Sequence, residues 1–211
     1  MSAVLVPLKQ ASESPATALT VLESANYSNW LEQQPPLTQN WIKASGYQGK
    51  GIQLLPGSNG ELTQALFVCD SLDDMFACGE LANALPAGDY TIANDAAAEH
   101  LLNIAFGWGV GAYRFERYLK PGKEQARLLL EDESILTQAE MLVEATKRVR
   151  DLINTPAADM MPENLAAAVE AMAQEFNADF KQIVGDDLLS ENYPMVHAVG
   201  RASVHAPRLL D

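Results

Sequence analysis

Two residue types that usually build sites are scarce in this chain: its 211 residues include two cysteines and three histidines. Cys69 and Cys78 cannot form a disulfide framework, and their spacing fits neither a zinc knuckle nor a redox pair. Two free thiols in a reducing compartment are expected. Basic residues are also few, with 14 Lys and Arg against 28 Asp and Glu, a formal net charge of -14. That excess opposes phosphate backbones and anionic lipid, so neither nucleic acid nor a membrane surface is expected as a partner. Long apolar runs are missing too. The strongest, Leu101 to Tyr113, falls well short of the ~20 residues that cross a bilayer. The segment before Lys9 lacks the basic region of a signal peptide, and its apolar run is too short for one. The expectation is a cytoplasmic protein.

Hydrophobic residues make up 48% of the chain and charged residues 20%, the composition of an ordinary globular protein of one large or two small domains. The acidic excess is spread evenly. Residues 1–133 hold 16 acids and 8 bases, and residues 134–211 hold 12 and 6.

Strand and helix signals alternate throughout, so the class is α/β. Residues 3–8 read as a short strand, and the Ser/Thr/Ala-rich stretch 10–29 carries little periodicity. Two amphipathic pieces around Trp30 and Trp41 flank Pro35-Pro36, which no helix runs through. Gly51–Leu55 and Ala65–Cys69 read as an antiparallel hairpin, with Pro-Gly and Asn-Gly turn signals between them. A helix from Met75 to Leu85 and a strand at Tyr90–Ile92 follow. The clearest helical stripe covers 95–119, where Leu101, Ala105, Trp108, Ala112, Phe115 and Leu119 recur at steps of three and four. Asn94 or Asp95 would cap it and Pro121-Gly122 would end it. Residues 126–130 read as a strand, then a helix spans Thr137 to Asn154 with Met141, Leu142, Ala145, Val149, Leu152 and Ile153 on one side. Thr155-Pro156 closes that helix and Pro162 opens another, whose buried face is read as Leu165, Val169, Met172 and Phe176. A strand at Phe180–Val184 and a helical turn at Asp186–Glu191 come next. Arg208-Leu209-Leu210-Asp211 reads as the start of a strand, without the polar tail of a natural terminus.

Candidate chemistry is thin. Gly107, Gly109 and Ala112 fit a dinucleotide fingerprint, with Glu131 or Asp132 about 20 residues on. That mechanism needs a strand-to-helix turn, whereas these glycines fall inside a helical stripe, so close approach to a neighbouring element is the preferred reading. Arg114, Arg117 and Lys120 share one helix face in this reading and, with Lys123 and Arg127, form a basic stripe that could dock an anion or an acidic partner, with a solvated face or a subunit contact preferred. His100, His197 and His205 match no zinc spacing. His197 and His205, with Asp186, Asp187 and Asp211 nearby in sequence, could assemble a site, but surface or packing histidines are preferred. Neither a nucleophile elbow nor an activated cysteine is present. Adjacent acids at Asp73-Asp74, Glu131-Asp132-Glu133 and Asp186-Asp187 read as loop and helix-start residues. No catalytic, cofactor-binding or metal residue is assigned.

The run Arg150 to Leu165, through Asn154-Thr155-Pro156 and Met160-Met161-Pro162-Glu163-Asn164, resembles the opening of the catalytic domain of leucyl aminopeptidases, the cytosolic two-metal exopeptidases. Gly111-Ala112-Tyr113-Arg114-Phe115-Glu116-Arg117-Tyr118 is similar to the last long helix of that family's N-terminal domain. Val199-Gly200-Arg201-Ala202-Ser203, followed by Ala206-Pro207-Arg208-Leu209-Leu210, is similar to the run into its first catalytic strand. The resemblance extends from about Trp30 onward, specific in 150–211 and looser before residue 90. It implies an α/β N-terminal domain with a mixed sheet over 1–133, a connecting helix over 134–154, and the incomplete beginning of a second α/β domain over 155–211.

It also implies peptide substrates, two divalent ions (manganese or zinc) in the parent enzyme, and a homo-oligomer, a hexamer in the family. The family's ligands lie in a Lys-Gly segment and an Asn-Thr-Asp-Ala-Glu-Gly-Arg segment, and neither has a counterpart here. The chain is therefore expected to be the inactive front of such an enzyme, with no metal of its own and an apolar edge left exposed. Two rivals remain: a stand-alone assembly module on the same scaffold, and a dinucleotide enzyme resting on Gly107 and Gly109.

Overall fold

The computed structural model describes residues 4–7, 10–94, 100–120 and 122–211, which fall into two units, Met1–Lys147 and Arg148–Asp211. The first is built on a six-stranded mixed sheet of order β1-β6-β5-β2-β4-β3. Its strands are β1 (Leu5–Pro7), β2 (Thr17–Glu23), β3 (Gly51–Pro56), β4 (Leu62–Cys69), β5 (Gly88–Ile92) and β6 (Ala126–Leu130). All neighbours run parallel except β3, which turns back antiparallel on β4 as its hairpin signals predict. The class is mixed α/β, as the alternating signals indicate.

Period two in β4 divides the core. Ala65, Phe67 and Cys69 point into one cluster, and Leu66 and Val68 into the other. The smaller cluster is covered by α1 (Ser24–Glu32) and α2 (Pro36–Ser45) through Tyr27, Trp30, Leu31 and Ile42. The larger takes α3 (Leu81–Ala84), α4 (Leu101–Gly111) and the start of α5 (Glu133–Asn154). Trp108 of α4 is fully buried there, donating its indole N–H to the Ala126 carbonyl at 3.1 Å.

Several sequence expectations are corrected. The stretch read as having little periodicity contains β2, a central strand, and α1. Thr17, Thr20 and Val21 are β-branched and suit a strand paired on both sides, but the threonines interrupt its apolar residues. The helix expected over 75–85 is reduced to Leu81–Ala84, with turns before it. The helix expected to reach Leu119 stops at Gly111. Side chains take its last carbonyls: Asn83 donates to Gly111 O at 2.7 Å, and Gln125 to Ala112 O at 2.9 Å. Asn94 is not its cap. Its amide clamps Val21 on both sides, accepting from the N–H at 2.9 Å and donating to the C=O at 2.8 Å. Asp95 and Pro121, the other expected start and stop, lie outside the described residues.

The second unit holds the end of α5, then α6 (Pro162–Glu175), β7 (Gln182–Val184), α7 (Asp187–Ser190), α8 (Pro194–Gly200) and β8 (Arg208–Leu210). β7 and β8 form a two-stranded antiparallel sheet. Helix α8 has no counterpart in the sequence reading. α5 begins four residues before its expected start because Asp132 caps it, its Oδ1 accepting from Ser134 N at 2.8 Å and Ile135 N at 3.2 Å.

The apolar stripes of α5 and α6 are not buried faces. Met141, Val149, Ile153, Leu165, Met172 and Phe176 are all exposed, while Ala166 and Ala173 are the residues α6 buries. Periodicity shows that a helix has an apolar side; it does not show what covers that side.

Candidate functional site

The motifs that suggested ligands are used structurally in the first unit. Gly107, Gly109 and Gly111 all lie within α4, with no strand-to-helix turn among them. A Cβ on Gly107 would press on the Met75 carbonyl, one on Gly109 on Val143, and one on Gly111 would overlap the Gly79 carbonyl. Close packing accounts for each glycine. Asp132, the candidate ribose partner, is spent on capping α5, and those hydrogen bonds hold its carboxyl below the ordinary range.

The basic stripe does not form a helix face, because α4 ends before Arg114. Arg114 donates to the Asn83 side chain at 2.9 Å, Arg117 lies 5.5 Å from the Tyr118 ring centre, and Arg127 is paired with Asp89 on the sheet. Both cysteines are buried and free of any disulfide, and burial pushes the Cys69 thiol up to about 11 and Cys78 up to about 12.

In the second unit the sequence-nominated histidines are separated by their partners. His197 Nε2 lies 3.0 Å from Asp186 Oδ1, and His205 Nδ1 lies 2.6 Å from Glu163 Oε1. Asp187 sits in the first turn of α7, and Asp211 exchanges backbone hydrogen bonds with Lys181. His100 lies 3.6 Å from Asp73, in the first unit. Among the described residues no three His, Cys, Asp or Glu side chains come together in a way that could hold a metal.

Glu163 was not foreseen as the partner of His205, 42 residues away; only the proline-started helix hinted that an acid there would face a helix N-terminus. Pro162 opens α6 without wasting a donor, and Asn164 Oδ1 accepts the Met161 N–H at 3.0 Å. Glu163's own N–H, followed by the His205 ring, holds its carboxyl below the ordinary range. An ionised carboxylate only accepts, so the shared proton sits on Nδ1 of His205. Its second oxygen, Oε2, is buried without a partner among the described residues, as is Nε of Arg208, whose Nη1 donates to Gln182 at 2.9 Å. Beside them runs a groove of about 730 Å³, lined by Met161, Leu165, Met195, Val199, Pro207 and Leu210 and also by Ser203 and His205.

A six-stranded mixed α/β unit followed by a second α/β unit is the class of fold found in solved aminopeptidases. The M17 aminopeptidase N-terminal domain matches residues 17–131, and the catalytic domain of the cytosol aminopeptidase family matches residues 147–211. The chain belongs to the M17 family. A probable cytosol aminopeptidase of Corynebacterium efficiens is 25% identical over 187 residues, 80% of this chain and 37% of its own. One from Wolinella succinogenes is 30% identical over 128 residues, 53% of this chain and 26% of its own. The crystal structure of the Coxiella burnetii cytosol aminopeptidase superposes with a TM-score of 0.85 at 32% identity, covering 94% of this chain and 44% of that one. The chain thus matches less than half the length of each of these relatives. No helix among the described residues is long and apolar enough to cross a membrane.

Proposed function

We propose that this chain is the non-catalytic front of a metal-dependent aminopeptidase that removes N-terminal residues from peptides in the cytoplasm. The observation that carries the reading is the order of the two family matches, N-terminal domain first and catalytic domain from residue 147 to residue 211. In this reading the first unit is a scaffold for assembly into a homo-oligomer, a hexamer, and shapes access to a metal centre built elsewhere.

Two divalent ions, manganese or zinc, would serve that centre by activating water and polarising the scissile carbonyl. A manganese complex is recorded for a fold neighbour, the bottromycin maturation enzyme BotP, at 19% identity. The donor set here does not fit such a pair, because its histidines are each engaged by a different carboxylate and no three donors converge among the described residues. No step of the reaction is therefore assigned to this chain's residues.

The test is hydrolysis of a leucine anilide by the 211-residue chain with manganese or zinc added, beside a polypeptide extended through a complete M17 catalytic domain. The expected result is hydrolysis by the extended polypeptide alone. Metal-dependent hydrolysis by the 211-residue chain would overturn the reading, with His197, His205 and their carboxylates the first residues to substitute. Failure of both would leave the stand-alone assembly module as the better account.

A further inference from the structure

We propose that Asn59, in the turn between β3 and β4, is a modification site: it loses its amide nitrogen spontaneously through a cyclic imide with Gly60, leaving an isoaspartyl residue in the hairpin. The proposal does not depend on the aminopeptidase reading, since it needs only this turn.

The chemistry is local. The backbone nitrogen of Gly60 attacks Cγ of Asn59, its proton passes to water, and the side-chain nitrogen leaves as ammonia, closing a five-membered ring. Water then opens the ring at one of two carbons. Attack at Cγ gives aspartate, and attack at the main-chain carbonyl carbon of residue 59 gives isoaspartate, with the chain running through the former side chain. The sum consumes one amide and one water and yields one carboxylic acid and one ammonia, with no oxidation or reduction.

Ring closure is slowed wherever the next residue's side chain crowds the attacking nitrogen, and glycine has none. Of the eleven asparagines in the chain, Asn59 is the one followed by glycine. Several of the others are also committed: the carboxamides of Asn83, Asn94, Asn103 and Asn164 each hold a backbone group by a hydrogen bond.

Tertiary structure leaves Asn59 open. Ser58, Asn59 and Gly60 are all exposed, and a Cβ on Gly60 would meet nothing within 4 Å. The attacking nitrogen is tied by donation to the Gly57 carbonyl at 3.1 Å. That bond closes an exposed turn at the end of an edge pairing, the kind of contact that opens at little cost, and each opening frees the nitrogen.

The product changes the hairpin. Isoaspartate adds one methylene to the main chain inside a turn that is also closed by the Gly57 N–H on the Glu61 carbonyl at 2.8 Å. The lengthened turn cannot keep the geometry of both bonds. β3 lies at the sheet edge beside β4, and their register already shifts between Leu55 and Pro56. The loosening therefore reaches Leu55, which is buried in the smaller core cluster. The new group also makes the turn a substrate for one chemical class of enzyme, a carboxyl methyltransferase that acts on isoaspartyl groups with S-adenosylmethionine.

The test ages the folded 211-residue chain in buffer at pH 8, then maps its peptides by mass and assays isoaspartate by methyl transfer from labelled S-adenosylmethionine. Isoaspartate should accumulate at residue 59 ahead of every other asparagine. Asn59→Gln should abolish it, because glutamine would have to close a larger ring. Asn59 is exposed and its φ is not positive, so glutamine leaves the turn intact. Aspartate at residue 59 without isoaspartate would overturn the ring route. Isoaspartate that forms in urea but not in the folded chain would overturn the site, as would earlier formation at another asparagine. Amide exchange over 51–64 should be faster in the aged chain than in aged Asn59→Gln, and equal exchange would overturn the effect on the hairpin.

Discussion

Arg127 on β6 reaches Asp89, its register partner on β5, placing Nε and Nη2 both 2.6 Å from the carboxylate Oδ1. The other oxygen of Asp89 accepts the Ser12 N–H at 2.6 Å, so one buried carboxylate ties together two strands and the segment leading into β2. The pair lies within the first unit, far in sequence from the catalytic-domain match, and its role is structural.

Burial pushes the Asp89 carboxyl up, but the Ser12 N–H and hydroxyl and the Arg127 guanidinium outweigh it and hold the carboxyl below the ordinary range. A lowered folded value means that its stabilisation is full above the unfolded value of ~3.9 and is lost as pH falls through the folded one. Asp89→Ala should cost about 2–3 kcal/mol at neutral pH, since it leaves a half-buried arginine unpaired. It should also flatten the acid limb of the stability curve. Urea melts of both proteins between pH 3 and pH 7 check this, and equal stability at pH 7 would refute the role given to Asp89.

Two glycines of α4 should answer differently to the same change. Gly to Ala inside a helix gains about 1 kcal/mol from propensity alone. At Gly111 the new methyl meets the backbone carbonyl of Gly79, which cannot move aside cheaply, so overpacking of about 1–3 kcal/mol decides the sign. At Gly109 it meets the Val143 side chain, which can shift. Thermal melts should therefore rank Gly111→Ala below Gly109→Ala, and the reverse order would refute close backbone approach as the reason for Gly111.

The thiols should be inert in the folded chain. With Cys69 raised to about 11 and Cys78 to about 12 by burial, little thiolate exists at pH 8. Alkylation by iodoacetamide should be slow in buffer and reach both cysteines in denaturant. Fast modification of either in the native protein would contradict the buried placement.

Glu163 sets an acid limit on the second unit. Its carboxyl is held low by its own N–H and by His205, so the tie between α6 and the turn before β8 persists above the ordinary carboxylate value of ~4.3 and is lost as pH falls through the lowered one. Amide exchange at the start of α6, corrected for intrinsic pH dependence, should accelerate below about pH 4 in the native chain. In Glu163→Gln it should already be fast at pH 6, and an unchanged rate there would remove the tie.

Strands with clean punctuation were readable without coordinates. Pro56-Gly57 and Asn59-Gly60 announce the β3–β4 hairpin, and Pro162 announces α6, because turn and helix-start chemistry is local. β2 was not readable: its burial comes from β4 and β5 on either side, and a central strand need not alternate cleanly. The end of α4 was missed for a related reason. The stripe continues through Phe115 and Leu119, yet the helix stops where Asn83 and Gln125, distant in sequence, take its carbonyls.

By itself the sequence determined the α/β class, the acidic surface, the free thiols and, through the run at Arg150–Leu165, the aminopeptidase family. Those follow from composition, local turn chemistry and a motif, none of which needs long-range contacts. Tertiary structure alone decided which neighbours the glycines of α4 pack against and that His197 and His205 go to different carboxylates. It also decided that the apolar stripes of α5 and α6 face outward. Each depends on which residues distant in the chain are brought together, and spacing along one helix or strand carries no record of what lies opposite.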